Sequence, residues 1–115
     1  MIRRVTKMLF VRAIVRPEKK DEVLENLSAG GFHAATVVDV VGRGKQKGIR
    51  MGDVFYDEIP KTLILVAVED EDKDKITEII MKSAKTGTSG NFGDGKIFIS
   101  PVEEAYTISK GTKGL

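Results

Sequence analysis

The stretch TLILVAVEDEDKDKITEIIMKSAKTG (residues 62–87) decides the fold. Its first seven residues form a nearly continuous apolar run, the pattern of a strand in the middle of a sheet. The acids Glu69, Asp70, Glu71 and Asp72 follow, a run suited to the positive N-terminal end of a helix rather than to a metal. Ile76, Ile79, Ile80 and Ala84 then recur at helical spacing and mark one buried face. Thr86-Gly87 ends that helix. Downstream, TSGNFGDG (residues 88–95) is a glycine-rich loop, and residues 96–100 make a short strand closed by Pro101. This half therefore reads strand, helix, strand.

The other half reads the same way. MLFVRAIV (residues 8–15) is a buried strand ended by Arg16-Pro17, and Pro17 opens a helix because its missing N–H is not needed there. Residues 18–27 carry acids early and an apolar face of Val23, Leu24 and Leu27; Gly30-Gly31 stops them. ATVVDVV (residues 35–41) is the second strand. A double βαβ of this kind is an α+β ferredoxin-like sandwich, an antiparallel four-stranded sheet with two helices on one face. The opposite face would be bare. TLILVAV and ATVVDVV are too apolar to face water, so further copies of the chain are expected to cover it in a homo-oligomer.

The chain has 115 residues, enough for a single domain. A net charge of +2 gives no basic field for nucleic acid. No eighteen-residue apolar run is present, so no membrane span is expected; no signal peptide is recognised, and the expected location is the cytoplasm. With no cysteine, thiolate chemistry is excluded. A single histidine, His33, disfavours multi-histidine metal sites and Ser-His-Asp triads. It is expected to be a surface or satisfied side chain.

Between the halves lies GRGKQKGIRMGDVFYDEIPK (residues 42–61). Gly42, Gly44 and Gly48 alternate with Arg43, Lys45 and Lys47, which suits a phosphate or carboxylate ligand but also an ordinary solvated loop. Gly93-Asp94-Gly95-Lys96 forms a second such loop, with Asp94 read as a turn residue; it does not match a Walker A motif. The pair says more than either loop alone. In an oligomer the two are expected to face each other across a subunit boundary and form a nucleotide site.

Here the sequence resembles a known family, the PII signal-transduction proteins. The motifs that carry the resemblance are IVRPEK (14–19), GRGKQKG (42–48), IPK (59–61), TG (86–87) and GDGKIF (93–98). They cover nearly the whole chain from about Met8. VGRGKQKGI, GDVFYDEIPK, VEDED and SPVEEAYTI look most like the branch encoded with nitrogenase in archaea, its first paralogue in particular. The resemblance implies one domain over residues 1–115: an N-terminal extension (1–7), a T-loop (42–61), a B-loop (86–96) and a C-terminal loop and tail (102–115). It also implies a homotrimer whose clefts bind ATP or ADP, with 2-oxoglutarate beside Mg-ATP. The residues between the halves would then be a mobile arm that contacts the target.

The roles that the resemblance implies can be placed. Ile14, Thr36 and Ala67 would line the adenine pocket. Gly42, Gly44 and Lys45 would run along the nucleotide. Thr86, Gly87, Gly93, Asp94, Gly95 and Lys96 would wrap it from the second loop. Gln46 would ligate Mg²⁺ through its side-chain oxygen and so touch both ligands. Lys61 would pair with the distal carboxylate of 2-oxoglutarate, and the backbone of Lys47 and Gly48 would help hold it. Three features depart from the family pattern. The T-loop is short, and Tyr56 lies too near Lys61 to be a modified tyrosine; packing at the loop base is its expected role. The second loop is lengthened by residues 88–92. Thr107 and Ser109 stand where the family often has arginines, leaving Lys110 as the nearest cation for phosphate. Tyr106 is expected to pack.

The leading expectation is a non-enzymatic nitrogen regulator that inhibits nitrogenase by contact with its dinitrogenase component, together with a second PII paralogue. A general PII protein acting on an ammonium channel or a nitrogen-assimilation enzyme is the nearest alternative. An RRM-like nucleic-acid module shares the double βαβ order, but the predicted strands at 35–41, 62–68 and 96–100 offer only Phe98 for stacking. An enzyme on this fold lacks an evident general base.

Overall fold

The computed structural model describes residues 7–43, 49–51, 54–56 and 58–115. In chain order the elements are β1 (Met8–Val15), a 3₁₀ turn (Pro17–Lys19), α1 (Lys20–Ala29), β2 (Thr36–Gly42), β3 (Ile49–Met51), β4 (Val54–Tyr56) and β5 (Ile59–Glu69). A second 3₁₀ turn (Asp70–Asp72), α2 (Lys73–Ala84), β6 (Gly95–Val102), β7 (Tyr106–Thr107) and β8 (Thr112–Lys113) complete the chain.

Four strands form one sheet in the order β2-β5-β1-β6, antiparallel at every junction. This is the ferredoxin-like arrangement expected from the two βαβ halves, with the apolar TLILVAV segment in a central strand. Alternation along β1 and β5 sends Val11, Ala13, Val15, Ile64, Val66 and Val68 to the helix side, where all are buried. Val23 and Leu27 of α1 and Ile76, Ile80 and Ala84 of α2 close on them. The Asn26 amide donates to Ser83 Oγ at 2.8 Å, and Ser83 Oγ donates to the Ile79 carbonyl at 2.7 Å. The buried Ser83 is thus satisfied and ties the helices together. Ile64, fully buried mid-sheet, is a direct probe of this packing. Ile64→Val is expected to cost about 1 kcal/mol in a urea titration, with no effect on ligand affinity.

The opposite face carries cross-strand rows such as Thr36-Leu65-Arg12-Phe98 and Val38-Leu63-Ile14-Lys96. Phe98 is 50% exposed and Val38 41%. Arg12 lies in the middle of this face, donating to Ser100 Oγ at 3.1 Å with its guanidinium 4.8 Å from the Phe10 ring centre.

Several boundaries differ from the sequence expectation. Strand β5 begins at Ile59, so the IPK motif is strand rather than loop. Gly42 pairs with Ile59 and Val40 with Lys61, which extends the ladder. The β1 pairing stops at Val15–Thr62, so Pro60 faces no β1 neighbour. Pro101 lies within β6 rather than ending it, as an edge strand allows. Residues 42–61 contain a short antiparallel ladder, β3 with β4, in which Ile49 opposes Tyr56. Tyr106 does not pack against the core. It is 58% exposed, with its hydroxyl donating to Glu104 at 3.1 Å. The reason is that β7 and β8 form a separate two-stranded unit rather than joining the main sheet. His33 is exposed, as expected, with Nδ1 2.9 Å from Ser28 Oγ.

Candidate functional site

The segment from the end of α2 to the start of β6 is organised by one carboxylate. Asp94 Oδ1 accepts from the Thr86 hydroxyl at 2.6 Å and from Arg16 Nε at 3.0 Å. Its Oδ2 accepts from the backbone N–H of Thr86 at 3.0 Å and of Asn91 at 2.9 Å. The Asn91 amide returns to Thr86, donating to its Oγ1 at 2.9 Å and its carbonyl at 3.2 Å. Asp94 is therefore the hub on which both ends of the loop close, a fuller role than a simple turn residue. Burial by itself would raise its carboxyl pKa. The donors from Thr86, Asn91 and Arg16 outweigh that and hold it far below the ordinary carboxylate range.

Two cations from neighbouring strands reach the same loop. Arg16, just after β1, donates from Nη2 to the Phe92 carbonyl at 2.8 Å in addition to its bond with Asp94. Lys61, in β5, donates its ammonium to the Gly93 carbonyl. Gly93 has φ +94°, and a Cβ there would lie 3.1 Å from Arg16 Nη2. The left-handed backbone conformation demands glycine there, and the end of the Arg16 side chain would also have to give way to a Cβ. Lys85 lies against Gly90. An open cavity of about 420 Å³ beside Gly95 is bordered by Ile14, Met81, Ala84, Lys85, Asp94 and Lys96. With Asp94 neutralised by Arg16, the surroundings of the loop are net cationic. Such surroundings suit an anionic group.

Most of the expected site residues that the structure describes lie in this region. Thr86, Gly93, Asp94 and Lys61 share one hydrogen-bond network, and Gly95, Lys96 and Ile14 border its cavity. The end of β2 adjoins it, since a Cβ on Gly42 would be 3.6 Å from Lys61 Cγ. The base of the first loop and the second loop therefore meet within one chain. Register brings them together because Gly42 and Lys61 lie at the β2–β5 end beside Arg16. Gly87 is exposed at the loop's start. Thr36 and Ala67 lie on the bare sheet face and do not line this cavity. Lys110 and Ser109 are exposed on the β7–β8 connection, and Thr107 is exposed at the end of β7. Gly44, Lys45, Gln46, Lys47 and Gly48 lie outside the described residues.

Two residues of the network had no role in the sequence reading. Arg16 stood there as the end of a strand, and Asn91 as part of an insertion. Asn91 had a usable signal, since an Asn three residues before an Asp in a glycine-rich loop is a frequent turn former. Arg16 had none, being 78 residues from its partner.

The nitrogen regulatory protein P-II family model matches residues 8–112. The chain is 56% identical, over 94% of its length and all of the relative's, to the nitrogen fixation nifHD region GlnB-like protein 1 of Methanobacterium ivanovii. It is 48% identical to nitrogen regulatory protein P-II 2 of Methanothermobacter thermautotrophicus, over 93% of this chain and 96% of that one. Among solved structures, Arabidopsis thaliana PII bound to citrate superimposes with a TM-score of 0.76 at 30% identity, covering 96% of this chain and 88% of that one. The chain belongs to the P-II family of nitrogen regulatory proteins, in its archaeal nif-region GlnB-like branch.

Proposed function

We propose that this protein is a trimeric, non-enzymatic, cytoplasmic sensor that binds ATP or ADP and 2-oxoglutarate and inhibits nitrogenase by direct contact. The observation that carries this reading is the Asp94-ordered glycine loop joined through Lys61 to the base of the first loop. Phosphates fit that loop: Arg16, Lys61, Lys85 and Lys96 surround it, and its one carboxylate is neutralised. Thr86, Gly87, Gly93, Gly95 and Lys96 would hold the phosphates, with Asp94 shaping the loop from beneath. Ile14, with Thr36 and Ala67, would meet the base. Gly42, Gly44 and Lys45 would complete the nucleotide's cradle, and Lys110 would reach a phosphate from the C-terminal hairpin.

Lys61, with the backbone of Lys47 and Gly48, would receive the carboxylates of 2-oxoglutarate. Citrate, a polycarboxylate, is the ligand bound to the Arabidopsis relative, which supports small carboxylates as effectors. Mg²⁺, held with the help of Gln46, would offset the repulsion between the two anionic ligands. Because Gln46 lies in the first loop, ligand binding would reshape that loop, and the coupling between ligands must be reciprocal. The nitrogen fixation names of the relatives support a link to nitrogenase, whose dinitrogenase component is the proposed target, and their numbering supports a second PII paralogue as companion. The apolar row of Val38, Leu63 and Ile14 on the bare sheet face supports an oligomer in which further copies cover it.

Calorimetric titration of 2-oxoglutarate with Mg-ATP, with Mg-ADP and with neither tests the sensor. Binding is expected only with Mg-ATP, and Gln46→Ala should weaken it at least about 100-fold, the upper range of a single coupling term. Equal binding in all three conditions would overturn the coupled reading. Inhibition assays with purified nitrogenase, with and without the paralogue, test the target.

A further inference from the structure

Arg16 and Lys61 stand side by side, since Val15 pairs with Thr62 at the ends of β1 and β5. Both reach the same three-residue stretch of the second loop. Arg16 takes the Phe92 carbonyl and the Asp94 carboxylate; Lys61 takes the Gly93 carbonyl between them. The peptide bonds are trans, so each C=O points opposite to the N–H of the next residue. With the Phe92 carbonyl drawn to Arg16, the Gly93 N–H is turned away from the clamp, and it has no partner among the described residues. The Asp94 N–H is occupied by the Asn91 carbonyl at 3.2 Å.

We infer that Arg16 and Lys61 are positioning residues: a two-cation clamp that orients the second loop's peptides for an anion before any ligand arrives. Its two halves differ. Arg16 is locked at both ends of its fork, while Lys61 holds a single neutral carbonyl. A carboxylate outbids a neutral carbonyl for an ammonium. An anion that draws Lys61 away therefore loosens the Gly93 end of the loop and leaves the Arg16 end intact. The clamp deepens the reading of this loop as the phosphate site and rests on it for the ligand, but its own signature needs no ligand.

Amide hydrogen exchange on the nucleotide-free protein supplies that signature. In Arg16→Met, the bonded amides of Asn91 and Asp94 are expected to exchange about 100-fold faster, the size of two lost charge-assisted hydrogen bonds. Lys61→Met, which loses one such bond, should give a smaller rise, about tenfold, confined to the Asp94 amide. Lys61→Arg should restore protection, and Arg16→Lys, which keeps the charge but loses the fork, should fall between wild type and Arg16→Met. Exchange in the helices reports whether each variant is folded. Mg-ADP affinity without 2-oxoglutarate should fall in the same order. Unchanged loop exchange in both methionine variants would overturn the clamp, even if nucleotide affinity dropped, because that is the behaviour of a direct ligand contact. If the wild type bound no nucleotide, the phosphate reading would fail while the exchange data still decided the clamp.

Discussion

Gly95→Ala is expected to detach the start of β6 and cost on the order of 4 kcal/mol, a large share of the stability of a domain this size. Two effects add. Gly95 has φ +116°, a conformation that costs a residue with a Cβ roughly 1–3 kcal/mol. The new Cβ would also overlap the Ile14 carbonyl oxygen, with the Ile14 carbon at 2.8 Å and Val15 Cα at 3.2 Å. These are backbone atoms of the paired strand, so no side chain can swing aside. Relief requires the strands to part at the Val15–Gly95 pair, each lost ladder bond costing about 1 kcal/mol. Gly42→Ala is the internal control. Its backbone has no such φ, and its Cβ would make an ordinary 3.6 Å contact with Lys61 Cγ. It should shift the urea midpoint by less than a quarter as much. Equal shifts for the two variants would mean that the close approach of β1 and β6 is not what Gly95 serves.

The architecture was legible because its signals are local. The apolar run at 62–68, the helical stripe of Ile76, Ile79, Ile80 and Ala84, and the breaks at Pro17 and Gly30 each depend on a few neighbouring residues. They lead directly to β5, α2 and the ends of the first helix. Pro101 misled for a physical reason. A proline ends a strand only where its N–H is needed, and that depends on which strands lie beside it. The site was legible as a set of glycines and cations, through the spacing of the two loops, but not as a mechanism. Asp94 looks like any turn aspartate until the register of β1 and β6 brings Arg16 to it across the fold. Likewise, Lys61 lies in a strand whose extension beyond Thr62 comes from pairing with Val40, a long-range fact. Tyr106 illustrates the converse. Its aromatic character invites packing, yet the β7–β8 hairpin stands apart from the sheet and leaves the ring exposed.

Asp94→Ala should cost about 3 kcal/mol and abolish the nucleotide binding proposed for this loop. It strips the acceptor from four donors at once and leaves the partly buried Arg16 cation with only the more distant, exposed Glu18 carboxylate, 3.9 Å from its Nη1, as a charge partner. Asp94→Asn separates shape from charge. An amide offers one acceptor oxygen, so whichever way it turns, its NH₂ group meets donors: either Arg16 Nε and the Thr86 hydroxyl, or the N–H groups of Thr86 and Asn91. The hydroxyl alone can rotate to accept, so Asn should recover only part of the loss. The pH dependence follows from the sign of the shift. The folded carboxyl is held below its unfolded value of about 3.9, so its contribution is complete above that value and fades as pH falls toward the folded one. The stability gap between wild type and Asp94→Asn should therefore be constant from pH 7 to about pH 5 and narrow only below about pH 4. Urea titrations across that range measure it. A gap already narrowing between pH 7 and pH 5 would assign the effect to another titrating group, and no gap at pH 7 would show that the loop is held by its glycines alone. Only a gap that is full at neutrality and survives well into acid fits a carboxylate whose donors come from both ends of the loop and from a strand on the far side of the chain.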